Sequence, residues 1–212
     1  MLVKINEKEY NVKMSKKKIR VSFNSPVILG FTILCFVALI LDIAASGMVN
    51  NTLFSVYRSS PFNPLTYIRL FGHVVGHAGW EHFIGNIMII LITGPLLEEK
   101  YGSANILFVI LATALITGLV SILFFPNIRL LGASSVVFAF ILLSSITSIK
   151  EGNIPLTFIL VTVIYIGQQI YQGMFIDDNV SNLSHITGGI VGAYLGYVMN
   201  KNKMNKYSVK NP

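Results

Sequence analysis

Apolar residues along this chain fall into long unbroken runs, with neither the alternation of a half-buried strand nor the one-sided stripe of a helix on a soluble core. The first run extends from about Val27 to Val49. Five more follow at about His82 to Leu97, Ala104 to Phe125, Gly132 to Ile149, Pro155 to Gln172 and Ser184 to Met199, separated by charged or turn-forming residues. About 20 apolar residues cross a bilayer as one helix, so the pattern predicts an all-α membrane protein built as a six-transmembrane-helix bundle. Several runs are shorter than an ideal crossing, which predicts tilt, local bilayer thinning, or ends that stop inside the protein. The stretch from Asn50 to Glu81 is rich in Pro, Gly, aromatic residues and Arg. It is too irregular to span and too apolar for a simple aqueous loop, and is expected to lie partly embedded at the interface.

Composition supports the same reading. With 53% apolar and 12% charged side chains and a mean hydropathy of +0.68, the chain has too few charges to cover a soluble globule. Six spans leave no room for a second folded unit, so one domain is expected at 27–200, between basic cytoplasmic tails at 1–26 and 201–212. The formal net charge is +7, but most Lys and Arg residues sit in those tails, and no nucleic-acid partner is expected. Counted on alternate sides of the six spans, thirteen fall on the side of the termini, and Arg58, Arg69 and Arg129 on the other. Cytoplasmic loops carry the excess of Lys and Arg, so both termini are expected in the cytoplasm and the protein in the plasma membrane. Cys35 is the one cysteine, which excludes an internal disulfide and paired-cysteine metal sites. The N-terminal region shows no short apolar stretch with a small-residue cleavage site, and the first span is expected to be its own targeting signal.

In this topology spans two, four and six run inward from the outer face, and the polar residues cluster at their outer ends. His82 and Asn86 open span two, Ser134 opens span four within Gly132-Ala133-Ser134-Ser135, and His185 opens span six. Polar groups in a bilayer are expensive unless paired or turned toward a cavity, so such a cluster marks a functional site. His82 and Asn86, four residues apart, lie on one helical face and point two hydrogen-bond donors at a common place, as an oxyanion hole requires. Ser134, in a glycine-preceded turn at a helix N-terminus, exposes its hydroxyl and adds its own N–H. His185 is placed to accept the serine proton, and no acidic residue except Glu81 lies in the opening turns, so a Ser-His dyad is expected and a triad is not. Gly188, Gly192 and Gly196 form a smooth strip on span six for close approach of span four, and Phe138 is placed to pack beneath the His185 ring.

These residues resemble the rhomboid intramembrane serine proteases. The resemblance rests on His77-x4-His82-x3-Asn86, the Gly-x-Ser turn at 132–134, Glu98-x3-Gly102 after span two, and His185 followed by the glycine strip. It implies a rhomboid-like bundle with Ser134 as nucleophile, His185 as base, and His82 with Asn86 as oxyanion donors. It also implies Arg69 in a structured first loop and transmembrane proteins as substrates, cut near the outer leaflet without metal or cofactor. The chain departs from the family in having Ser135 where Gly usually follows the nucleophile and Ile68 where Trp usually precedes the loop Arg.

The sequence leaves other readings open. Ser135 raises an inactive rhomboid-like protein that binds or escorts membrane clients. A transporter lined by the polar cluster fits less well, because the cluster stops at the outer ends of the spans. Metal binding through His77 and His82 suffers from their five-residue spacing. His73 and His77 are expected to brace the first loop, Glu98 to tie its turn together, and Asp42, an isolated acid in span one, to carry no chemistry.

Overall fold

The computed structural model describes residues 23–146 and 179–208, with 156, 159–164, 167 and 171 between them. Its elements are α1 (Pro26–Ala44), a π-helical turn (Asn50–Phe54), α2 (Pro64–Gly72), α3 (Trp80–Tyr101), α4 (Ser103–Phe124), α5 (Ser134–Ile146) and α6 (Asn179–Ser208). Among the described residues there is no strand, and β-pairing is confined to an isolated antiparallel bridge of Val56 with Leu130. α1, α3 and α4 are long and apolar enough to cross a membrane. Ile33, Val37 and Ile40 of α1, Met88 and Ile92 of α3 and Phe108 of α4 all point outward. Such a surface is a liability in water and the solvated face in lipid.

The helices keep the predicted order but shift at their ends. The first apolar run reads through to Val49, yet α1 stops at Ala44. Ser46 takes a left-handed conformation (φ 50°), and the N–H groups of Ser46 and Gly47 donate to the carbonyls of Ile43 (3.2 Å) and Asp42 (2.9 Å). This doubled bond closes a helix end regardless of the apolar residues beyond it. α3 begins two residues before His82 and continues four past Leu97. α6 starts at Asn179, five residues before Ser184, because polar residues extend a helix without extending its apolar run. It also continues to Ser208, into the expected C-terminal tail. Half of the expected fifth span, Pro155–Gln172, lies outside the described residues, and those described within it are helical. Most of the N-terminal tail and the end of the fourth run at Ile149 also lie outside them.

Glu98 ties its own turn, as expected, and beyond that joins three helices. Its carboxylate accepts the N–H groups of Val27 and Ile28 at 3.0 Å each and the Ser103 hydroxyl at 2.6 Å. Ser25 precedes α1 but makes no cap bond, so the first amides of α1 are satisfied by an acid 70 residues away, whose charge also suits the positive helix end. Beside it Gly102 (φ 85°) turns the chain directly into α4.

α5 is buried on nearly every side, with Val136, Val137, Ala139, Phe140, Leu142 and Leu143 all enclosed, as befits a helix apolar all round. α6 lies on it backbone to backbone. A Cβ added at Gly188 would sit 2.2 Å from the Ser135 carbonyl oxygen, and one at Gly192 would sit 2.1 Å from that of Ala139. The expected contact of the glycine strip with the fourth run is therefore present, and only glycine permits it.

Candidate active site

α5 begins at Ser134 because Gly132 has a φ of 128°, which side-chain-bearing residues avoid, and the chain enters the helix only after it. The Gly132 N–H donates to the His73 carbonyl at 2.8 Å. The first amides of a helix have no partner within it, so α5 itself leaves the Ser134 N–H without an acceptor. Ser134 itself is half-buried, whereas Ser135 is buried. Ser135 lies within α5 and is absent from the residues of positive φ. The backbone here therefore does not require glycine after Ser134.

His185 sits seven residues into α6, not at its start, because α6 begins earlier than its apolar run. Its ring packs on Phe138 with centroids 4.6 Å apart and planes at 44°, as the sequence predicted. Phe138 is one turn after Ser134 on α5, and Gly188, nearly one turn after His185, touches the Ser135 backbone. The imidazole therefore lies over the stripe of α5 that carries Ser134.

His82 and Asn86 stand one turn apart on α3. The His82 Cε1 and Nε2 atoms lie 2.6 and 2.7 Å from where a Gly132 Cβ would be, so the ring edge rests on Gly132, two residues before Ser134. The Ala78 N–H faces its Nδ1 at 3.5 Å, a long contact that favours the proton on Nε2. The Asn86 side chain is buried and its Nδ2 has no hydrogen-bond partner. A buried amide donor left unused among the described residues is available to an acceptor that enters the site.

His73 and His77 brace the loop, as expected. His73 meets the Thr117 hydroxyl at 3.3 Å. His77 donates from Nδ1 to the Val75 carbonyl at 3.0 Å and stands edge-on to His82 (5.2 Å) and Phe83 (5.4 Å). Burial pushes the His73 imidazole down to about 3. Burial, with a smaller effect from His82, pushes His77 down to about 4 against the bond to Val75. Both rings are thus neutral at physiological pH. Arg69 is buried in the first loop, donating to the Thr52 carbonyl at 2.8 Å and lying over Tyr57. Ile68, in the usual tryptophan position beside it, is exposed.

Two polar residues, Asn182 and Asn50, were missed by the sequence reading, and a third, Asp42, was read as isolated. Asn182, three residues before His185 on α6, is buried with its Nδ2 unpartnered. Its signal was its place one turn before the histidine. Asp42 is not isolated: its carboxyl accepts the backbone N–H (2.7 Å) and side-chain Nδ2 (2.6 Å) of Asn50. Among the described residues no three His, Cys, Asp or Glu side chains gather as a metal site would need.

The chain matches the Rhomboid domain over residues 64–202. It is 30% identical over 158 residues to rhomboid-related protein 2 of Mus musculus, covering 65% of this chain and 52% of that one. It is 31% identical over 140 residues to rhomboid-related protein 1 of Caenorhabditis elegans, covering 62% and 39%. The chain thus spans about half or less of the length of these relatives.

Proposed function

The chain belongs to the rhomboid family, and from that premise we propose that it is an intramembrane serine endopeptidase acting through a dyad of Ser134 and His185. The observation that carries this reading is the His185 ring packed, tilted, against Phe138, over the α5 stripe that begins with Ser134. In the proposed reaction the Ser134 Oγ attacks the carbonyl carbon of a peptide bond while His185 takes the hydroxyl proton. The resulting oxyanion accepts hydrogen bonds from His82 Nε2, the free Asn86 Nδ2 and the Ser134 N–H. His185 then returns its proton to the leaving amine, and the Ser134 ester is released when water attacks it, with the same histidine as base.

The substrates in this reading are transmembrane proteins cut near the outer leaflet. The protein would cross the plasma membrane six times, with both termini in the cytoplasm. The charge asymmetry supports that topology, and the apolar outer faces of α1, α3 and α4 support insertion. Ser135 does not favour the inactive alternative, since its ordinary helical backbone needs no glycine.

The test is incubation of detergent-purified protein with a fluorophosphonate probe, followed by mapping of the adduct. Labelling at Ser134, lost in Ser134→Ala and reduced at least about 100-fold in His185→Ala, is expected. No adduct on a folded protein that also fails to cut any reporter substrate would leave a client-binding rhomboid as the better reading.

A further inference from the structure

We propose that Asp42 and Asn50 form a positioning clamp that fixes the oxyanion side of the site; this rests on the protease reading above. Asp42 lies in the last turn of α1, buried in an apolar segment where a polar side chain is expensive unless it is paired. Its two oxygens are taken by one residue, Oδ1 accepting the Asn50 N–H at 2.7 Å and Oδ2 the Asn50 Nδ2 at 2.6 Å. The second hydrogen of that planar amide goes to the His77 carbonyl at 2.9 Å. Both hydrogens are used, so the Asp42 carboxyl sets the plane of the Asn50 amide, and the amide sets the position of the His77 backbone.

From His77 the contacts run on to the reacting centre. The His77 ring, anchored on the Val75 carbonyl, stands edge-on to His82 at 5.2 Å, and the His82 edge rests on Gly132, two residues before Ser134. The π-helical turn has no slack to absorb a slip, since a Cβ on Gly76 would sit 2.7 Å from Phe54 and 2.8 Å from the Asn50 Oδ1. Asp42 and Asn50 touch no reacting atom and are positioning residues. A clamp serving only to glue α1 to the π-helical turn would need Asp42 and Asn50 but not the bond to His77.

The double variant Asp42→Asn/Asn50→Asp separates the two roles. Amide and carboxyl trade places, so the tie between α1 and the turn can re-form, while the His77 carbonyl faces an acceptor. With a reporter transmembrane substrate, the thermal midpoint should recover relative to Asn50→Ala while kcat stays about 10- to 100-fold down and KM stays within about twofold. The ring-nitrogen resonances of protein labelled with 15N-histidine give a readout independent of activity. His77 and His82 should shift in both variants, while His73, held by Thr117, should not. Recovery of kcat together with stability in the double variant, or unmoved His77 and His82 resonances, would overturn the clamp. A wild-type protein that neither cuts nor labels at Ser134 would overturn the protease reading instead, and the resonances alone would then decide the clamp.

Discussion

Gly188→Ala is the sharpest perturbation of the helix contact on which the proposed pairing of His185 with Ser134 depends. The added methyl would lie 2.2, 2.8 and 2.9 Å from the O, C and Cα atoms of Ser135, where ordinary contact begins at 3.4 Å. All three are backbone atoms of a helix buried on nearly every side, so they have no rotamer by which to yield. α6 must withdraw by about 1 Å near residue 188, and His185, nearly one turn away, moves with it. A misplacement of about 1 Å in a reacting pair costs on the order of 100-fold in rate, and overpacking of this kind costs about 1–3 kcal/mol of stability. The assay is steady-state cleavage of a reporter transmembrane substrate in detergent, with a thermal melt on the same preparation. The expected result is a kcat reduced about 100-fold, KM nearly unchanged, and a midpoint lower by several degrees. Gly192→Ala, 2.1 Å from the Ala139 carbonyl but a further turn from the histidine, should destabilise as much with a smaller loss of kcat. Gly30→Ala, with nothing within 4 Å of its Cβ, is the control and should leave both readouts in place. A Gly188→Ala protein that keeps more than a third of wild-type kcat and melts normally would refute the reasoning.

Ser134→Ala and His185→Ala should each abolish cleavage of the reporter substrate, and the double variant should be no worse than either, since in the proposed dyad the two act as a unit. Ser135→Ala should stay active; loss there with survival of Ser134→Ala would move the nucleophile by one residue. Asn86→Ala should lower kcat by about 10- to 1000-fold with the melt unchanged, and an unaltered rate would reduce its amide to a packing group. Glu98→Ala should cost about 2–4 kcal/mol of stability, read by the melt, because it strands two α1 amides and the Ser103 hydroxyl. His73 and His77 are held neutral at about 3 and 4 when folded, so the unfolded chain binds more protons between its ordinary value near 6.5 and those values. Stability should be full above about pH 6.5 and fall as pH drops toward 4, and His73→Gln should make the fall shallower; melts at pH 7.5, 6 and 5 decide it.

The runs of apolar residues marked α1, α3, α4 and α5 to within a few residues because lipid and a close-packed core both demand uninterrupted apolar length, which is visible without a structure. Helix ends were less legible. Ser46 and Gly47 stop α1 through backbone bonds that hydropathy does not register, and Asn179, Ser181 and Asn182 carry α6 on through a stretch that hydropathy reads as its boundary. At the site, the candidate residues stood out because Ser134, His185, His82 and Asn86 are polar groups in apolar surroundings, and four-residue spacings put Phe138 under His185 and the glycines against α5.

Partnerships across long sequence distances were decided only by the fold. Glu98 capping α1, Asp42 turned by a tight helix end toward Asn50, and Asn50 reaching the His77 carbonyl depend on where separate helices come to lie. A sequence displays which groups are too polar to be buried alone. Which partner satisfies each one is a matter of angles and distances between elements that share no local pattern, so it appears only when the chain has packed.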